Sequence, residues 1–248
     1  MTTVLKLGGS VITDKDRAET LDGNALEAAA AAIAEAREAG TVRELVVVHG
    51  GGSFGHVHAS EHGVSTTAGT HDVDAVHDIH GAMKTLNGFV LQRLLEADVP
   101  AVPVHPFSAG ARDQDGTLTF ATEPVSTLLD EGFVPVLHGD VIAQREKGVT
   151  IISGDELVTT VATDLEAERI GLCSTVPGVL DGDEDVIPEI ERYADVEPVL
   201  GASESTDVTG GMAAKVQALL ELSGQASIFG PDALSTFLAG EQPGTTIR

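Results

Sequence analysis

The feature that most constrains the fold is the alternation of short valine- and isoleucine-rich runs with longer alanine- and leucine-rich segments. Leu45–His49 contains three successive valines without polar alternation, as expected for a strand buried on both faces of a sheet. Asn24–Ala39 is rich in alanine with interspersed Glu and Arg, which predicts a helix that ends at Gly40. Strands that alternate with helices favour an α/β domain on a mostly parallel sheet over a β-sandwich or a helical bundle.

The same patterns predict the other elements. Predicted strands are Val4–Leu7, Ala101–Val104, Phe133–Leu137, Val149–Ile152 after a hairpin turn at 145–148, Arg169–Cys173, Ala226–Phe229 and an edge strand Thr245–Ile247. Predicted helices are Val73–Ala97, interrupted near Gly81 or Gly88, then 153–164 and Met212–Leu222. The acid-rich segments 182–185 and 189–204 are expected to be exposed. We expect a single domain of 1–248 with two lobes, about 1–144 and 145–248, that share one sheet.

The charge balance excludes some partners. The chain has 39 acidic and 14 basic residues and a net charge of −25, so phosphates of nucleic acids and anionic membranes would be repelled. Disorder is not indicated, because 42% of the residues are hydrophobic. Acid-rich chains with few lysines suit concentrated salt, where screening weakens self-repulsion, and we therefore expect a halophilic source.

The compartment is predicted from cysteine usage and from hydropathy. The single cysteine, Cys173, excludes an intramolecular disulfide and fits a reducing compartment. The N-terminal residues enter a strand pattern at once, and no apolar run reaches the roughly 18 residues that span a bilayer. These features predict a cytoplasmic protein without a membrane partner.

Glycines cluster where predicted strands end and helices begin. The clusters are Gly8-Gly9-Ser10, Gly50-Gly51-Gly52-Ser53, Gly154 and Gly210-Gly211. Glycine permits close approach of the backbone to an anion, and helix N-termini hold phosphate oxygens. The chain lacks both the P-loop motif and a G-x-G-x-x-G turn after its first strand, so it is neither a P-loop enzyme nor a conventional dinucleotide binder.

The lysines point to the same turns. Of five lysines, Lys6 precedes the first glycine cluster, Lys15 follows it, and Lys215 lies one turn beyond the last. Cations beside phosphate-binding turns are typical of phosphoryl transfer, in which catalysis is largely positioning and charge neutralisation.

Four segments together resemble the amino acid kinase superfamily and, within it, the isopentenyl phosphate kinases. They are Lys6-Leu7-Gly8-Gly9-Ser10, the segment from His49 to His56, Ser153-Gly154-Asp155, and the segment from Asp207 to Met212 with Lys215. The terminal Gly-Thr-Thr-Ile-Arg is also similar, and the resemblance covers essentially the whole chain. It implies a three-layer αβα sandwich around a mostly parallel sheet. The histidine of Gly-Ser-Phe-Gly-His is its most specific element.

The resemblance implies transfer of the γ-phosphoryl group of ATP, with Mg²⁺, to isopentenyl phosphate, which gives isopentenyl diphosphate. Lys6 and Lys215 would hold the transferring phosphates, and Lys15 would neutralise charge in the transition state. Asp155 would orient the lysines, because an ionised acceptor phosphate needs no general base. His56 would donate a hydrogen bond to the acceptor phosphate.

The resemblance also implies binding residues. On the nucleotide side, with Lys6 and Lys215, these are Gly8, Gly9, Ser10, Gly52, Thr175, Gly210 and Gly211. On the acceptor side, with His56, they are Gly51, Gly55 and Gly154. An apolar wall for the acceptor tail is expected from Ile79, Met83, Leu86 and Phe89, a stripe that an ordinary core-facing helix would equally present.

One departure from the family pattern concerns the nucleotide base. Where relatives carry Thr-Asp-Val-Asp-Gly-Val-Tyr, residues 174–180 read Ser-Thr-Val-Pro-Gly-Val-Leu, without either aspartate or the tyrosine. The contact through Thr175 and the base preference are therefore open.

Three further points stay open. A fosfomycin-type phosphonate kinase shares the Gly-Ser-Phe-Gly-His loop. A metal-binding protein is the non-enzyme alternative, since His56, His58, His77 and His80 lie within a histidine-rich segment. Relatives are often dimers, so a homodimer is expected, although no residue marks its interface.

Overall fold

The computed structural model describes residues 1–200 and 211–248, which contain two β-sheets with helices packed around the larger one. The strands are β1 (Thr2–Leu7), β2 (Glu44–His49), β3 (Ala101–Pro103), β4 (Gly110–Arg112), β5 (Leu118–Phe120), β6 (Val134–His138), β7 (Asp140–Gln144), β8 (Gly148–Ile152), β9 (Arg169–Cys173), β10 (Glu189–Ile190), β11 (Gln225–Phe229) and β12 (Thr245–Ile247). The helices are α1 (Gly9–Ile12), α2 (Gly23–Glu38), α3 (Gly52–Glu61), α4 (Val73–Glu96), α5 (Pro106–Ala109), α6 (Glu123–Asp130), α7 (Gly154–Asp164), α8 (Glu197–Leu200), α9 (Gly211–Leu220) and α10 (Leu234–Leu238). Every strand and helix predicted above is present, with bounds within two residues.

The larger sheet has the strand order β10-β12-β11-β9-β1-β2-β6-β3. β11 and β12 pair antiparallel and the other neighbours pair parallel, so the predicted mostly parallel sheet is confirmed. β1 joins the two halves of the chain, because it pairs with β2 on one side and β9 on the other. The carboxyl ends of these three central strands therefore meet at one edge, where ligands collect in such folds.

Side chains of the central strands are buried on both faces, as the continuous valine run predicts. In β1, Leu5 and Leu7 join a core with α2, α4 and α10, whereas Val4 joins a second core with α6, α7 and α9. Two cores on opposite faces of one sheet make three layers, which confirms the predicted αβα sandwich.

The structure corrects three expectations about elements. α4 is continuous, because buried Ile79, Met83, Leu86 and Val90 hold one face while Gly81 and Gly88 are exposed. β12 is not an edge strand, because β10 covers it. The segment 189–200 is only partly exposed: Ile190, Val196 and Leu200 are buried in the second core.

The smaller sheet, with the order β5-β4-β7-β8, is not predicted from the sequence as a separate unit. β7 and β8 form the predicted hairpin, whose turn ends at Gly148 with φ +75°. Arg112 of β4 donates to Glu156 of α7 from both terminal guanidinium nitrogens, Nη1 and Nη2, at 2.5 and 2.6 Å, and so connects the sheet to the larger body. The proposed lobe boundary falls in the hairpin turn and stays a prediction.

No helix within residues 1–200 or 211–248 combines the length and apolarity needed to cross a membrane.

Two glycines give opposite expectations for stability. A Cβ at Gly88 would meet no atom within 4 Å, so Gly88→Ala is expected to raise the free energy of unfolding by roughly 0.5–1 kcal/mol through the better helix propensity of alanine. A Cβ at Gly171 would lie 2.6 Å from the Phe237 ring, so Gly171→Ala is expected to lower it by about 1–3 kcal/mol. Urea unfolding at constant salt measures both, and equal effects of the two variants would contradict this account.

Candidate active site

A cleft lies at the edge where the central strands end. It is bounded by the glycine turns after β1, β2 and β8 and by the start of α9. Its lining includes Lys6, Gly8, Gly9, Ser10, Gly51, Gly55, His56, Gly154, Asp155, Thr175 and Lys215. Eleven residues predicted for one site are thus brought together around one cavity. The helices α3, α7 and α9 begin at or beside it, and the first N–H groups of a helix lack partners within the helix.

Two glycine turns are in direct backbone contact at the centre of this edge. A Cβ at Gly9 would lie 2.2 Å from the Gly52 nitrogen, and a Cβ at Gly50 would lie 2.7 Å from the Gly9 nitrogen. Gly52 itself has φ +48°. Only glycine fits at such distances, so the turns after β1 and β2 form one surface with closely spaced N–H groups.

Asp155 lies between the two predicted phosphate-binding lysines. Its Oδ1 is 2.6 Å from Lys6 Nζ, and its Oδ2 is 4.0 Å from Lys215 Nζ. Ser153 caps α7 by accepting a hydrogen bond from Glu156 N at 3.1 Å, which fixes Asp155 in the first turn of that helix. The Asp155 carboxylate therefore lies between two ammonium groups, that of Lys6 on β1 and that of Lys215 on α9.

His56, on α3, also lines the cleft and is exposed. Gly51 and Gly55 lie beside it, and a Cβ at Gly55 would lie 2.6 Å from Met83 Sδ. The neighbouring lining is apolar and consists of Ala59, Ile79, Met83 and Ile151.

The predicted apolar wall is only half correct. Ile79 and Met83 line the cleft, but Leu86 is fully buried in the core, and Phe89 packs its ring edge against Phe54 with 6.3 Å between centroids. An α-helix rises about 1.5 Å per residue, so Leu86 and Phe89 lie roughly 10 and 15 Å further along α4 than Ile79, outside the lining of the cleft. Ala59 and Ile151, from other elements, complete the wall and were missed.

Lys15 is not among the residues that line the cleft. It is exposed on the turn that follows Thr13 and lines a shallower depression, which shares Ser10 and Thr175 with the cleft. The turn is held against α3, because Glu19 N donates to Ser53 O at 3.0 Å and Glu19 Oε1 lies 2.7 Å from His58 Nε2. Lys15 thus lies next to the cleft on a tethered turn.

The remaining predicted nucleotide residues differ in position. Thr175 is exposed where the two depressions meet, while Gly52 and Gly211 are buried, each with a positive φ, at the start of α3 and α9. Gly210, with the rest of the Asp207–Gly210 motif, lies outside the described residues.

The sequence reasoning missed a buried histidine pair behind the cleft. His49 and His138 are the last residues of β2 and β6, pair with each other in register, and are fully buried with their rings stacked 5.5 Å apart. Nδ1 of each lies about 3 Å from the carbonyl of the following glycine: 3.1 Å from Gly50 O and 3.0 Å from Gly139 O. A His-Gly pair at two strand ends was the available signal.

A carboxylate beside this pair is also buried. Asp140 is fully buried and lines the cleft. Its carboxylate accepts a hydrogen bond from His80 Nδ1 at 2.9 Å and another from the backbone N–H of Val141. Burial raises the pKa of Asp140. Burial lowers the pKa of His49 and, together with the nearby His49 and His105 rings, holds the pKa of His138 well below its usual range.

These shifts predict acid sensitivity of the fold. Unfolded His49 and His138 bind protons near pH 6.5, whereas the folded rings, whose pKa values are lowered, bind them only at lower pH, so the unfolded state binds more protons as the pH falls below about 6.5. The free energy of unfolding should therefore decrease from about pH 6.5 downward, by up to about 1.4 kcal/mol per pH unit for each ring. Urea titrations between about pH 7.5 and 5.5 in constant salt measure this slope. A stability that is flat or rises over that interval would contradict the buried, neutral pair.

The described residues do not support the alternative of a metal-binding protein. His58 pairs with Glu19 and His80 with Asp140. In the described parts of the chain, no group of three or more His, Cys, Asp or Glu side chains is arranged to hold a metal ion.

Comparison with known proteins agrees with the geometry. The sequence profile of the amino acid kinase family matches residues 1–228. Isopentenyl phosphate kinase of Haloferax volcanii is 62% identical over 99% of this chain and 98% of its own length. Isopentenyl phosphate kinase of Methanocaldococcus jannaschii is 31% identical over 100% of this chain and 98% of its own length. A crystal structure of an isopentenyl phosphate kinase superposes with a TM-score of 0.84 at 30% identity, covering 100% of both chains.

Proposed function

The chain belongs to the amino acid kinase family, and we propose that it phosphorylates isopentenyl phosphate with ATP to give isopentenyl diphosphate. The observation that carries the proposal is the Lys6–Asp155–Lys215 arrangement, which faces a cleft that His56 and an apolar wall also line. It is supported by relatives named isopentenyl phosphate kinase that match the whole chain.

The lysines account for the nucleotide side of the reaction. Phosphoryl transfer needs little covalent chemistry from the protein, so cations and N–H groups placed around the migrating group do most of the work. Lys6 and Lys215 bind the transferring phosphates from two sides. The N–H groups of Gly9 and Ser10, at the start of α1, bind the same phosphates. Asp155 orients the two ammonium groups, and an ionised acceptor phosphate requires no general base.

Lys15 acts from the tethered turn beside the cleft. Its ammonium group neutralises charge that develops in the transition state when the side chain extends across Ser10, which the cleft and the depression share. Glu19 and Ser53 limit the movement of the turn, so the extension is mainly one of the side chain.

His56 and the apolar wall account for the acceptor. An imidazole donates a hydrogen bond to a monophosphate, and the backbone N–H of Gly51, just before α3, adds to it. Ala59, Ile79, Met83 and Ile151 then offer a short hydrophobic surface to a five-carbon tail. A small polar acceptor of the fosfomycin type would leave this apolar surface unmatched, which favours isopentenyl phosphate.

Mg²⁺ fits the donor set only as an ion held by the nucleotide. Asp155 is engaged by two lysines, and the buried Asp140 is engaged by His80, so neither carboxylate is disposed as a direct ligand. A largely hydrated Mg²⁺ would be held by the phosphates of the nucleotide rather than by a protein cage, and it would supply further charge neutralisation.

The source organism, the compartment, the oligomeric state and the pathway of the enzyme are part of the same proposal. The charge of −25 with only five lysines suits a halophilic cytoplasm, and the Haloferax relative fits that source. We also propose a homodimer and a place in isoprenoid precursor synthesis, where a diphosphate product of this kind is used.

An acceptor panel tests the proposal. Purified protein in concentrated KCl receives Mg-ATP and, in parallel, isopentenyl phosphate, dimethylallyl phosphate, fosfomycin or N-acetylglutamate, and ADP release is measured. Isopentenyl phosphate should have the highest kcat/KM. A preference for fosfomycin or N-acetylglutamate would overturn the assignment.

His56→Ala is expected to lower kcat/KM for isopentenyl phosphate by roughly 2–4 kcal/mol of transition-state stabilisation, because one charge-assisted hydrogen bond is lost. His62→Ala is the matched control, since His62 ends the same helix and pairs with Asp78 at the surface. Wild-type kcat/KM in His56→Ala would refute the role given to this histidine.

A further inference from the structure

The buried His49 ring is bonded to a backbone group of the cleft. Its Nδ1 lies 3.1 Å from Gly50 O, and a carbonyl oxygen only accepts hydrogen bonds, so Nδ1 carries the hydrogen. His138 repeats the arrangement one strand away, with Nδ1 at 3.0 Å from Gly139 O. Each ring thus ends a strand and holds the carbonyl of the glycine that follows.

The other ring nitrogens fit neutral rings. His105 Nδ1 lies 3.0 Å from His138 Nε2 and donates to it. His49 Nε2 lies 3.1 Å from Asn87 Oδ1, and Asn87 is buried. Since a half-turn exchanges the amide oxygen and nitrogen, a neutral His49 ring accepts there from the Asn87 NH2 group.

The bond to Gly50 O sets the direction of the next N–H group. In a trans peptide the C=O and N–H groups point in opposite directions, and the described residues contain no cis peptide. Holding Gly50 O toward the buried His49 ring therefore turns the Gly51 N–H away from it. Gly51 lines the cleft next to Gly55 and His56.

We propose that His49 is a positioning residue, whose hydrogen bond to Gly50 O aims the Gly51 N–H at the phosphate of the acceptor. The inference rests on the proposed function. A Gly-Gly peptide has no side chain to fix its plane and visits both signs of φ readily, so it needs such an external partner. A preset N–H group costs no reorganisation when the phosphate arrives.

The variants His49→Asn and His49→Gln separate positioning from packing. An Asn amide nitrogen takes the place of Nδ1 and keeps the bond to Gly50 O, whereas a Gln amide reaches the place of Nε2 and loses it. We expect His49→Gln to raise KM for isopentenyl phosphate about 10- to 100-fold, with KM for ATP changed less than about twofold, and His49→Asn to restore most of the acceptor affinity. His138→Gln is the matched control, because it loses an equally buried ring that holds Gly139 O instead.

The outcomes distinguish the two claims. If the wild-type protein does not turn over isopentenyl phosphate, the proposed function fails. If the wild-type protein is active and His49→Gln keeps its acceptor KM, or if His138→Gln raises it equally, the positioning role fails. Long-range ¹H–¹⁵N NMR of the wild-type imidazoles is a test that needs no variant: an Nδ1–H tautomer at His49 supports the inference, and an Nε2–H tautomer overturns it.

Discussion

Lys6→Met is expected to lower kcat by about 10³–10⁵-fold, the range in which a cation stabilises phosphoryl-transfer transition states. The methionine keeps the apolar stem, which is buried in β1, and removes only the charge that lies 2.6 Å from Asp155. Asp155 then retains Lys215, 4.0 Å away, as its nearest described cation. Steady-state kinetics with isopentenyl phosphate and Mg-ATP in concentrated KCl measures the effect.

Lys147→Met is the control for this variant. Lys147 is exposed on the hairpin turn and donates to Thr67 O at 2.9 Å, away from the cleft. The Lys147→Met substitution removes one positive charge from the same acidic chain, so it controls for any general effect of net charge. If Lys6→Met lost no more activity than Lys147→Met, Lys6 would have no role at the transferring phosphate.

Gly9→Ala is expected to lower kcat/KM by about 10²-fold or more and to destabilise the protein by about 1–3 kcal/mol. The added Cβ would lie 2.2 Å from the Gly52 nitrogen and 2.6 Å from the Gly52 Cα, and both are backbone atoms that cannot rotate away. The turns after β1 and β2 must separate, which displaces the N–H groups on both sides of the cleft.

Gly23→Ala is the matched control for this steric effect. Gly23 also begins a helix, but a Cβ there would meet no atom within 4 Å. Kinetics and thermal unfolding of the two variants are compared under the same salt. Normal kcat/KM in Gly9→Ala would show that the close contact of the two turns is not required for activity.

Much of the larger sheet follows from local sequence. Runs such as Leu45–His49 and Arg169–Cys173 are buried on both faces, so their composition alone identifies them as strands. The smaller sheet is not predicted, because β4 and β5 have three residues each, and β4, with which β5 pairs, depends on pairing with the distant β7. In α4, two exposed glycines suggested a break, but tertiary packing of one face overrides their low helix propensity.

The candidate site shows the same division between local and distant information. Lys6, Gly9 and Asp155 adjoin strand ends or helix starts, so local pattern is enough to find them. His49 and His138 were missed as a pair, because their stacking depends on strand register that brings residues 89 positions apart together. The predicted apolar wall is incomplete for a related reason. Ile151 belongs to the smaller sheet, whose position the sequence pattern does not reveal.

The most direct test of the central claim follows the phosphoryl group itself. Protein in concentrated KCl is mixed with Mg²⁺, ATP labelled at the γ-phosphate, and isopentenyl phosphate, and the products are separated after a single turnover. We expect the label to appear in isopentenyl diphosphate, and we expect Lys6→Met to abolish this transfer. Label that remains in ATP, or that is released only as inorganic phosphate, while the wild-type protein is folded would contradict it.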